Sequence, residues 1–310
     1  MKINRDPLSL PRPLAYPVVA LGNFDGVHIG HQMIFRRVAE IARAKNGTGL
    51  AFTFQPHPLK VLNPDTAPPL LTSFRKKIEL IGQCGIDRVI CARFNRRLAD
   101  HQPRDFTRKY LAEAVGVREV VVGFDYAFGR GREGTIQYLK KMGTEFDFQV
   151  HVIDQVKIDG HGVSSSYVRD LLEAGEVEKA AVFLGRPYSL QGPVVHGHKT
   201  GRGIGFPTAN LDTSRVQIPA TGVYAVQVRY RTQTFDGVAN IGFNPTFDRD
   251  RLSVEVHIFG FEEQIYGRHV ELAFIGRIRG EQRFNSAELL VEQIRCDIET
   301  ARSILSGFKA

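Results

Sequence analysis

The segment Gly22-Asn23-Phe24-Asp25-Gly26-Val27-His28-Ile29-Gly30-His31 decides the fold of the first half of this chain. It follows the apolar run 18–21, which predicts a short buried strand. It precedes residues 32–45, whose apolar side chains recur at helical spacing. The segment is therefore predicted to form a strand-to-helix turn, with two histidines three residues apart on one face at the start of the helix.

This turn has the chemistry of a phosphate site. The first turn of a helix carries free N–H groups and the positive end of the helix dipole, and both favour a bound anion. Two imidazoles and a glycine that allows a ligand to approach add to that preference. The alternative is that Gly22 and Gly26 only punctuate a turn and that both histidines lie on the surface.

The segment resembles the His-x-Gly-His motif of the nucleotidyltransferase superfamily. In its longer form it resembles the adenylyltransferase half of bacterial bifunctional riboflavin kinase/FAD synthetases. The resemblance implies adenylyl transfer, in which His28 and His31 donate to phosphate oxygens of ATP and Arg169 clamps the leaving pyrophosphate. The ATP-binding positions that it implies in this half are Gly22, Asn23, Phe24, Asp25, Gly30, Asp125, Ser164, Ser165 and Ser166.

Strand and helix patterns alternate as far as residue 184, which predicts an α/β Rossmann-like domain with a parallel sheet. Three unusual segments, at 22–31, 53–58 and 123–129, each follow the carboxyl end of a predicted strand. Ligands bind at that edge in open α/β sheets, so we expect the three to converge. The Pro-rich stretch 60–71 is expected to form a mobile flap.

Three assignments in this half leave alternatives open. The serines at 164–166 are expected to cap a helix, and the resemblance adds a second nucleotide-gripping motif in which Ser166 and Val168 replace threonine and isoleucine. Asp125 either helps to hold Mg²⁺ or contacts the nucleotide. His57 and Pro58 are candidates for flavin binding, and His57 is equally explained as a loop histidine.

The pattern changes after Gly185-Arg186-Pro187. Short extended runs at 223–230, 252–259 and 270–278, separated by Gly and Pro, predict a small antiparallel β-barrel domain, closed by a C-terminal amphipathic helix up to residue 305. The predicted domains are 1–184, an FMN adenylyltransferase, and 185–310, a riboflavin kinase β-barrel.

The distinctive stretch of the second half runs from His196 to Asn210. Its glycines and basic side chains suit a loop around phosphates. Thr208 and Asn210 alternate on an extended segment and offer hard oxygen ligands for Mg²⁺. Without its Pro207-Thr208-Ala209-Asn210 ending, a Gly-rich hairpin would explain it as well.

This stretch closely resembles the ATP-binding motif of riboflavin kinases. The resemblance implies that Glu255 is the general base toward the riboflavin 5′-hydroxyl. The implied ATP-binding residues are His196, Gly197, Lys199, Gly201, Arg202, Gly205 and Pro207, and the implied flavin-binding residues are Tyr224, Asn240, Arg279, Glu281 and Arg283. One departure is Gly260, where relatives commonly carry aspartate.

Bulk composition supports a globular protein that handles small anionic molecules. The 310 residues are 43% hydrophobic and 24% charged, with a net charge of +8. The longest basic run is 75–77, so phosphorylated small molecules explain the charge as well as a polynucleotide, and we expect no nucleic acid partner. Three scattered cysteines and the absence of a signal peptide or an 18-residue apolar run predict a cytoplasmic protein without disulfides.

Together the resemblances of the two halves imply a bifunctional enzyme that converts riboflavin and ATP to FMN, and FMN and ATP to FAD with release of pyrophosphate. Mg²⁺ is the expected cofactor, and the possibility of a homo-oligomer is left open. The alternatives are an enzyme that retains one activity, a non-catalytic flavin- or RNA-binding regulator, and a protein whose basic charge binds nucleic acid. A salt-sensitive polynucleotide affinity that ATP does not relieve would indicate the last.

Overall fold

The computed structural model describes residues 1–10, 13–196, 205–213, 216–243 and 252–308. The chain divides into two compact units, Met1–Pro69 with Phe74–Ser164, and Leu70–Ser73 with Ser165–Ala310. None of the described helices is long and apolar enough to cross a membrane.

The first unit is built on one parallel sheet, as predicted. Its described strands are β1 Lys2–Asn4, β2 Pro17–Leu21, β3 Thr48–Gln55, β4 Arg88–Arg93, β5 Glu119–Gly123 and β6 Gln149–Ile153. They lie in the order β1-β4-β3-β2-β5-β6. A separate two-stranded ribbon consists of β7 Lys157–Ile158 and β8 His161–Gly162.

Apolar cores cover both faces of this sheet, because the residues of a strand point alternately to opposite sides. Val19 and Leu21 of β2 belong to one core, and Val18 and Ala20 belong to the other. The helices of the unit are α1 Ile29–Ala44, α2 Pro58–Leu62, α3 Phe74–Gln83, α4 Arg96–Ala99, α5 Pro103–Phe106 and α6 Ile136–Phe146.

Three details of this unit were not predicted from the sequence. The stretch 60–71 contains the end of α2 and a 3₁₀ turn at Pro64–Thr66, and its mobility stays a prediction. β1 was not predicted, because three residues are too few to show a period. The chain continues from α5 as a π-helix over Thr107–Val115, which a 3.6-residue period does not distinguish from an α-helix.

The second unit contains a closed antiparallel barrel with a C-terminal helix, as predicted. Its described strands are β9 Tyr188–Val195, β10 Ala209–Leu211, β11 Gly222–Tyr230, β12 Gln233–Phe243, β13 Leu252–Ile258 and β14 His269–Arg279. They close in the order β10-β13-β12-β11-β14-β9. The helices of the unit are α7 Ser165–Glu173, α8 Val177–Leu184 and α9 Ala287–Gly307.

Helices α7 and α8 belong to the barrel unit because Arg277 of β14 binds them. Its guanidinium donates to the Ala174 carbonyl oxygen at 3.1 Å and to the Thr221 carbonyl oxygen at 3.0 Å. The Arg277 backbone N–H donates to the Glu178 carboxylate at 2.8 Å. The compact units therefore divide at Ser164, before the predicted functional boundary at residue 184, which stays a prediction.

Candidate active sites

The turn after β2 lies at the centre of the carboxyl edge of the sheet. β2 pairs with β3 on one side and with β5 on the other, and all three strands are parallel. Their carboxyl ends therefore open on the same edge, which is the usual ligand site of an open α/β sheet. The structure brings the three unusual loops of the sequence to this edge, as predicted.

The turn itself is tightly wound. Phe24 has φ +52° and Val27 has φ +44°, a left-handed conformation that is costly for residues with side chains. Burial holds them there, since each is 1% exposed. Phe24 was predicted to bind ATP, but its ring packs against His31 and Phe35, with centroids 5.3 and 4.5 Å away. A Cβ at Gly22 would lie 2.8 Å from that ring, so only glycine fits beside it.

His28 is the N-cap of α1. Its Nδ1 accepts the backbone N–H of His31 at 3.3 Å. In the neutral ring the proton therefore lies on Nε2, which is a hydrogen-bond donor. The rings of His28 and His31 stack with centroids 3.6 Å apart and planes 17° from parallel. The two predicted donors are thus held as one rigid pair.

His31 is a neutral donor rather than a cation. Burial lowers its pKa well below the ordinary value, and the charges of His28 and Lys77 lower it further. Its Nδ1 is buried and has no hydrogen-bond partner among the described residues. A buried polar atom without a partner is costly and uncommon, so this nitrogen is a candidate contact for a bound ligand.

A buried lysine, which was not predicted from the sequence as a site residue, hydrogen-bonds to the turn. Lys77 of α3 donates from Nζ to the Asn23 carbonyl oxygen at 3.1 Å and to Thr53 Oγ1 at 3.3 Å. The Thr53 hydroxyl donates to the same carbonyl at 3.0 Å. Its position in the sequence could have indicated burial. Lys77 lies three and four residues before Leu80 and Ile81, so the three side chains share the apolar face of α3.

The other predicted residues of this edge differ in exposure. Asp25 is buried, whereas Asp125 is exposed at the end of β5. A Cβ at Gly30 would lie 3.3 Å from the His28 ring, so a side chain there would press on the histidine pair. His57 caps α2, where its Nδ1 accepts the Leu59 N–H at 3.2 Å, and Pro58 is the first residue of that helix.

The predicted serine motif lies where the two units meet in sequence. Ser164 ends the first unit, and α7 of the second unit begins at Ser165. Ser166 is exposed, and Arg169 lies one turn into the helix and is 8% exposed. The helix start was predicted correctly, and the phosphate-gripping role of these residues stays a prediction.

In the barrel, strand register brings together the residues proposed for phosphoryl transfer. Glu255 of β13 is the cross-strand partner of Asn210 in β10 and of Asn240 in β12. Val254 and Val256, its neighbours in the strand, are buried, so Glu255 faces the outside of the barrel. The Thr208 hydroxyl donates to its carboxylate at 3.2 Å. Two amides, a hydroxyl and a carboxylate thus form one polar row.

Two aromatic contacts beside this row were not predicted. The Nδ1 of His257 lies 2.9 Å from the Pro207 carbonyl oxygen, and the Phe206 ring packs edge-on against the imidazole at 5.8 Å. His196, predicted to bind ATP, stacks on Tyr266 with centroids 4.0 Å apart. Since His257 follows Glu255 by two residues in a strand, both side chains lie on the same face.

Two residues predicted to bind flavin make hydrogen bonds within the barrel unit, and their role in flavin binding stays a prediction. Tyr224 is fully buried, and its hydroxyl donates to the Ala220 carbonyl oxygen at 2.6 Å. Arg279 makes a bidentate pair with Asp297 of α9, with N–O distances of 2.7 and 2.9 Å. A strand pattern shows which residues alternate but does not reveal such long-range partners.

The remaining predicted residues of the barrel are exposed or lie outside the described residues. Glu281 and Arg283 are exposed in the segment between β14 and α9, and Gly205 and Pro207 are exposed before β10. Gly205 has φ +90°, a conformation that favours glycine. Gly197, Lys199, Gly201 and Arg202 lie outside the described residues.

The oxygen atoms of the barrel row fit a magnesium ion that is shared with nucleotide phosphates. No group of three or more His, Cys, Asp and Glu suited to a metal occurs among the described residues. Mg²⁺ on a nucleotide, however, takes only one or two protein oxygens, because phosphates and water supply the rest. Thr208 and Asn210 offer such oxygens next to Glu255.

Two family models match the chain. The model described as FAD synthetase matches residues 12–167, and the model described as riboflavin kinase matches residues 184–305. The first match contains the histidine pair and Lys77, and the second contains the polar row of the barrel.

Relatives that match almost the whole chain include proteins described by both activities. The bifunctional riboflavin kinase/FMN adenylyltransferase of Escherichia coli (strain K12) is 40% identical over 92% of this chain and 91% of its own length. The corresponding protein of Bacillus subtilis (strain 168) is 38% identical over 95% of this chain and 94% of its own length. A solved structure from Streptococcus pneumoniae, described as a macrolide-efflux protein, is 32% identical with a TM-score of 0.86 and covers 97% of this chain and 98% of its own.

Proposed function

This chain belongs to the family of bifunctional riboflavin kinase/FMN adenylyltransferases, and we propose that its first part adenylylates FMN and its second part phosphorylates riboflavin. The proposed functional domains are 1–184 and 185–310. Riboflavin, FMN and ATP are the substrates. We place the protein in the cytoplasm and expect no nucleic acid partner.

In the first reaction, a phosphate oxygen of FMN attacks the α-phosphorus of ATP. One P–O bond forms, the bond to the β-phosphate oxygen breaks, and pyrophosphate leaves. His28 and His31 donate hydrogen bonds to the phosphate oxygens as negative charge shifts toward the leaving group. Arg169 clamps the pyrophosphate, and Ser164, Ser165 and Ser166 contribute hydroxyl and backbone donors. Asp125 and His57 contact substrates at the same edge.

In the second reaction, the 5′-hydroxyl of riboflavin attacks the γ-phosphorus of ATP. Glu255 accepts the hydroxyl proton, and ADP leaves. Thr208 and Asn210 would hold Mg²⁺, which neutralises charge on the phosphates when it is bound. Asn240 orients the flavin in this proposal, which its register pairing with Glu255 supports.

The single observation that carries the proposal is the stacked His28–His31 pair at the carboxyl edge of the central strand. Cap geometry fixes His28, and burial keeps His31 neutral, so both rings are preorganised as donors. Preorganised donors stabilise developing charge without reorganisation at the moment of reaction.

The test is a chromatographic time course of the purified chain with riboflavin, ATP and Mg²⁺. We expect FMN first and then FAD. An accumulation of FMN without FAD in the wild type would contradict the first half of the proposal. A chain that converts supplied FMN but not riboflavin would contradict the second half, and one that converts neither would favour a flavin-binding regulator.

A further inference from the structure

Lys77 carries an ammonium group that donates a hydrogen bond to the backbone of the Gly22–His31 turn. The residue is 8% exposed, and its Nζ contacts the Asn23 carbonyl oxygen and Thr53 Oγ1, both neutral acceptors. Lysine is almost never buried without a paired charge, because removing an ammonium from water is costly. Such a residue therefore needs an explanation other than packing.

The charged and titratable groups that interact with Lys77 include Asp25 and His31 of the turn. Burial lowers its pKa, and the charge of Asp25 opposes that shift. The Lys77 charge in turn lowers the pKa of His31. Asp25, His31 and the Asn23 carbonyl all belong to the segment predicted to hold phosphates. The buried ammonium therefore interacts with this segment both by a hydrogen bond and by its charge.

We propose that Lys77 is a positioning residue for adenylyl transfer: its buried positive charge raises the affinity of the Gly22–His31 turn for the triphosphate of ATP, and its hydrogen bond fixes the Asn23 carbonyl. The inference rests on the proposed function of the first domain. A fixed charge in a water-poor environment acts on an anion more strongly than one in solvent. The same charge disfavours a second cation at His31 and so keeps that ring a neutral donor.

Three variants separate the charge from the scaffold. Lys77→Met removes the charge and the hydrogen bonds at similar length. Thr53→Val removes the hydroxyl that donates to the same Asn23 carbonyl and accepts from Lys77 Nζ, and it leaves the charge. Lys76→Met is the matched control, since Lys76 is also 8% exposed in α3 and pairs with Glu79 at 3.2 Å.

The measurement is the Michaelis constant for ATP in both reactions of each full-length protein. In FMN adenylylation, we expect Lys77→Met to raise it about tenfold, and Thr53→Val and Lys76→Met to leave it within about twofold. In riboflavin phosphorylation, we expect all three variants to match the wild type. If Lys77→Met behaves like Thr53→Val, the charge is not used and the inference is wrong.

One outcome with the wild type and one measurement on it complete the test. A wild type that makes no FAD from FMN contradicts the proposed function and not the role of Lys77. If Lys77→Met does not fold, NMR of the wild-type lysine ammonium decides. We expect a slowly exchanging NH₃⁺ signal at pH 7 that shifts when pyrophosphate is added, and a neutral amine or an unmoved signal would overturn the inference.

Discussion

The imidazole of His28 both caps helix α1 and stacks on His31. Its Nδ1 accepts the His31 backbone N–H at 3.3 Å, and the two ring centroids are 3.6 Å apart. One side chain therefore fixes the start of the helix and the orientation of its partner ring. This dual role lets substitutions separate folding from chemistry at the same position.

Substitution of His28 tests that separation. We expect His28→Ala to lower the free energy of unfolding by about 1 kcal/mol, because the N-cap is lost. His28→Asn restores a good cap without an imidazole and should recover most of this stability. Both variants should lose about 10²-fold or more in FMN adenylylation, measured by FAD formation from FMN. Recovery of that rate in His28→Asn would show that the ring serves only the fold.

The lowered pKa of His31 predicts how it responds to acid. The folded state keeps the ring neutral while the unfolded state binds a proton below about pH 6.5. Stability is therefore complete above pH 6.5 and falls with decreasing pH, by up to about 1.4 kcal/mol per pH unit. NMR titration of the imidazole should show no protonation between pH 7 and 6. His31→Asn should show a shallower loss of stability over the same range, and an imidazole that titrates near 6.5 would contradict its burial.

Glu255→Gln tests the proposed general base with little change in shape. The Gln amide oxygen can still accept the Thr208 hydroxyl, so the local structure should remain. We expect riboflavin phosphorylation to fall about 10²- to 10⁴-fold, because the amide cannot accept a proton. FAD formation from supplied FMN is the internal control and should be unchanged. Near-normal phosphorylation would mean that another group accepts the proton.

His257 is expected to position the segment that carries Thr208. Its Nδ1 lies 2.9 Å from the Pro207 carbonyl oxygen, so the N–H donates to that carbonyl. Loss of one such hydrogen bond is worth about 1 kcal/mol, or about fivefold in rate. His257→Ala should show this loss in riboflavin phosphorylation, and His257→Asn, which offers an amide donor, should restore part of it. Equal rates in both variants and the wild type would remove His257 from the site.

The ion pair between Arg279 and Asp297 leads us to expect that substitution of Arg279 lowers the stability of the barrel unit and leaves flavin binding unchanged. Asp297 is 3% exposed, and Arg279→Met would leave its carboxylate buried without the guanidinium, although the Gln293 amide still donates to it at 2.9 Å. We expect a loss of about 3–5 kcal/mol in the unfolding free energy of the barrel unit. Arg279→Met with Asp297→Leu should recover much of it. In folded protein the Michaelis constant for riboflavin should stay unchanged in both, and a selective rise would return Arg279 to the flavin site.

Local patterns in the sequence were sufficient to predict the architecture of both units. Alternating strand and helix patterns predicted the parallel sheet, and the loss of that alternation after residue 184 predicted the barrel. The placement of unusual loops after strand ends predicted the shared edge of the first unit. Each of these follows from backbone periodicity, which neighbouring residues determine. The stretch 60–71 shows the limit, since its prolines did not predict the end of α2 or the 3₁₀ turn.

The sequence by itself determined which chemistry the chain carries, because His28, His31, Asn210 and Glu255 lie in motifs that can be read in a short window. Only the tertiary structure decided which side chains surround that chemistry. It buried Tyr224, paired Arg279 with Asp297 and placed Lys77 beneath Asn23. The physical reason is that burial and ion pairing depend on residues far apart in the chain, and packing of the whole unit brings those together.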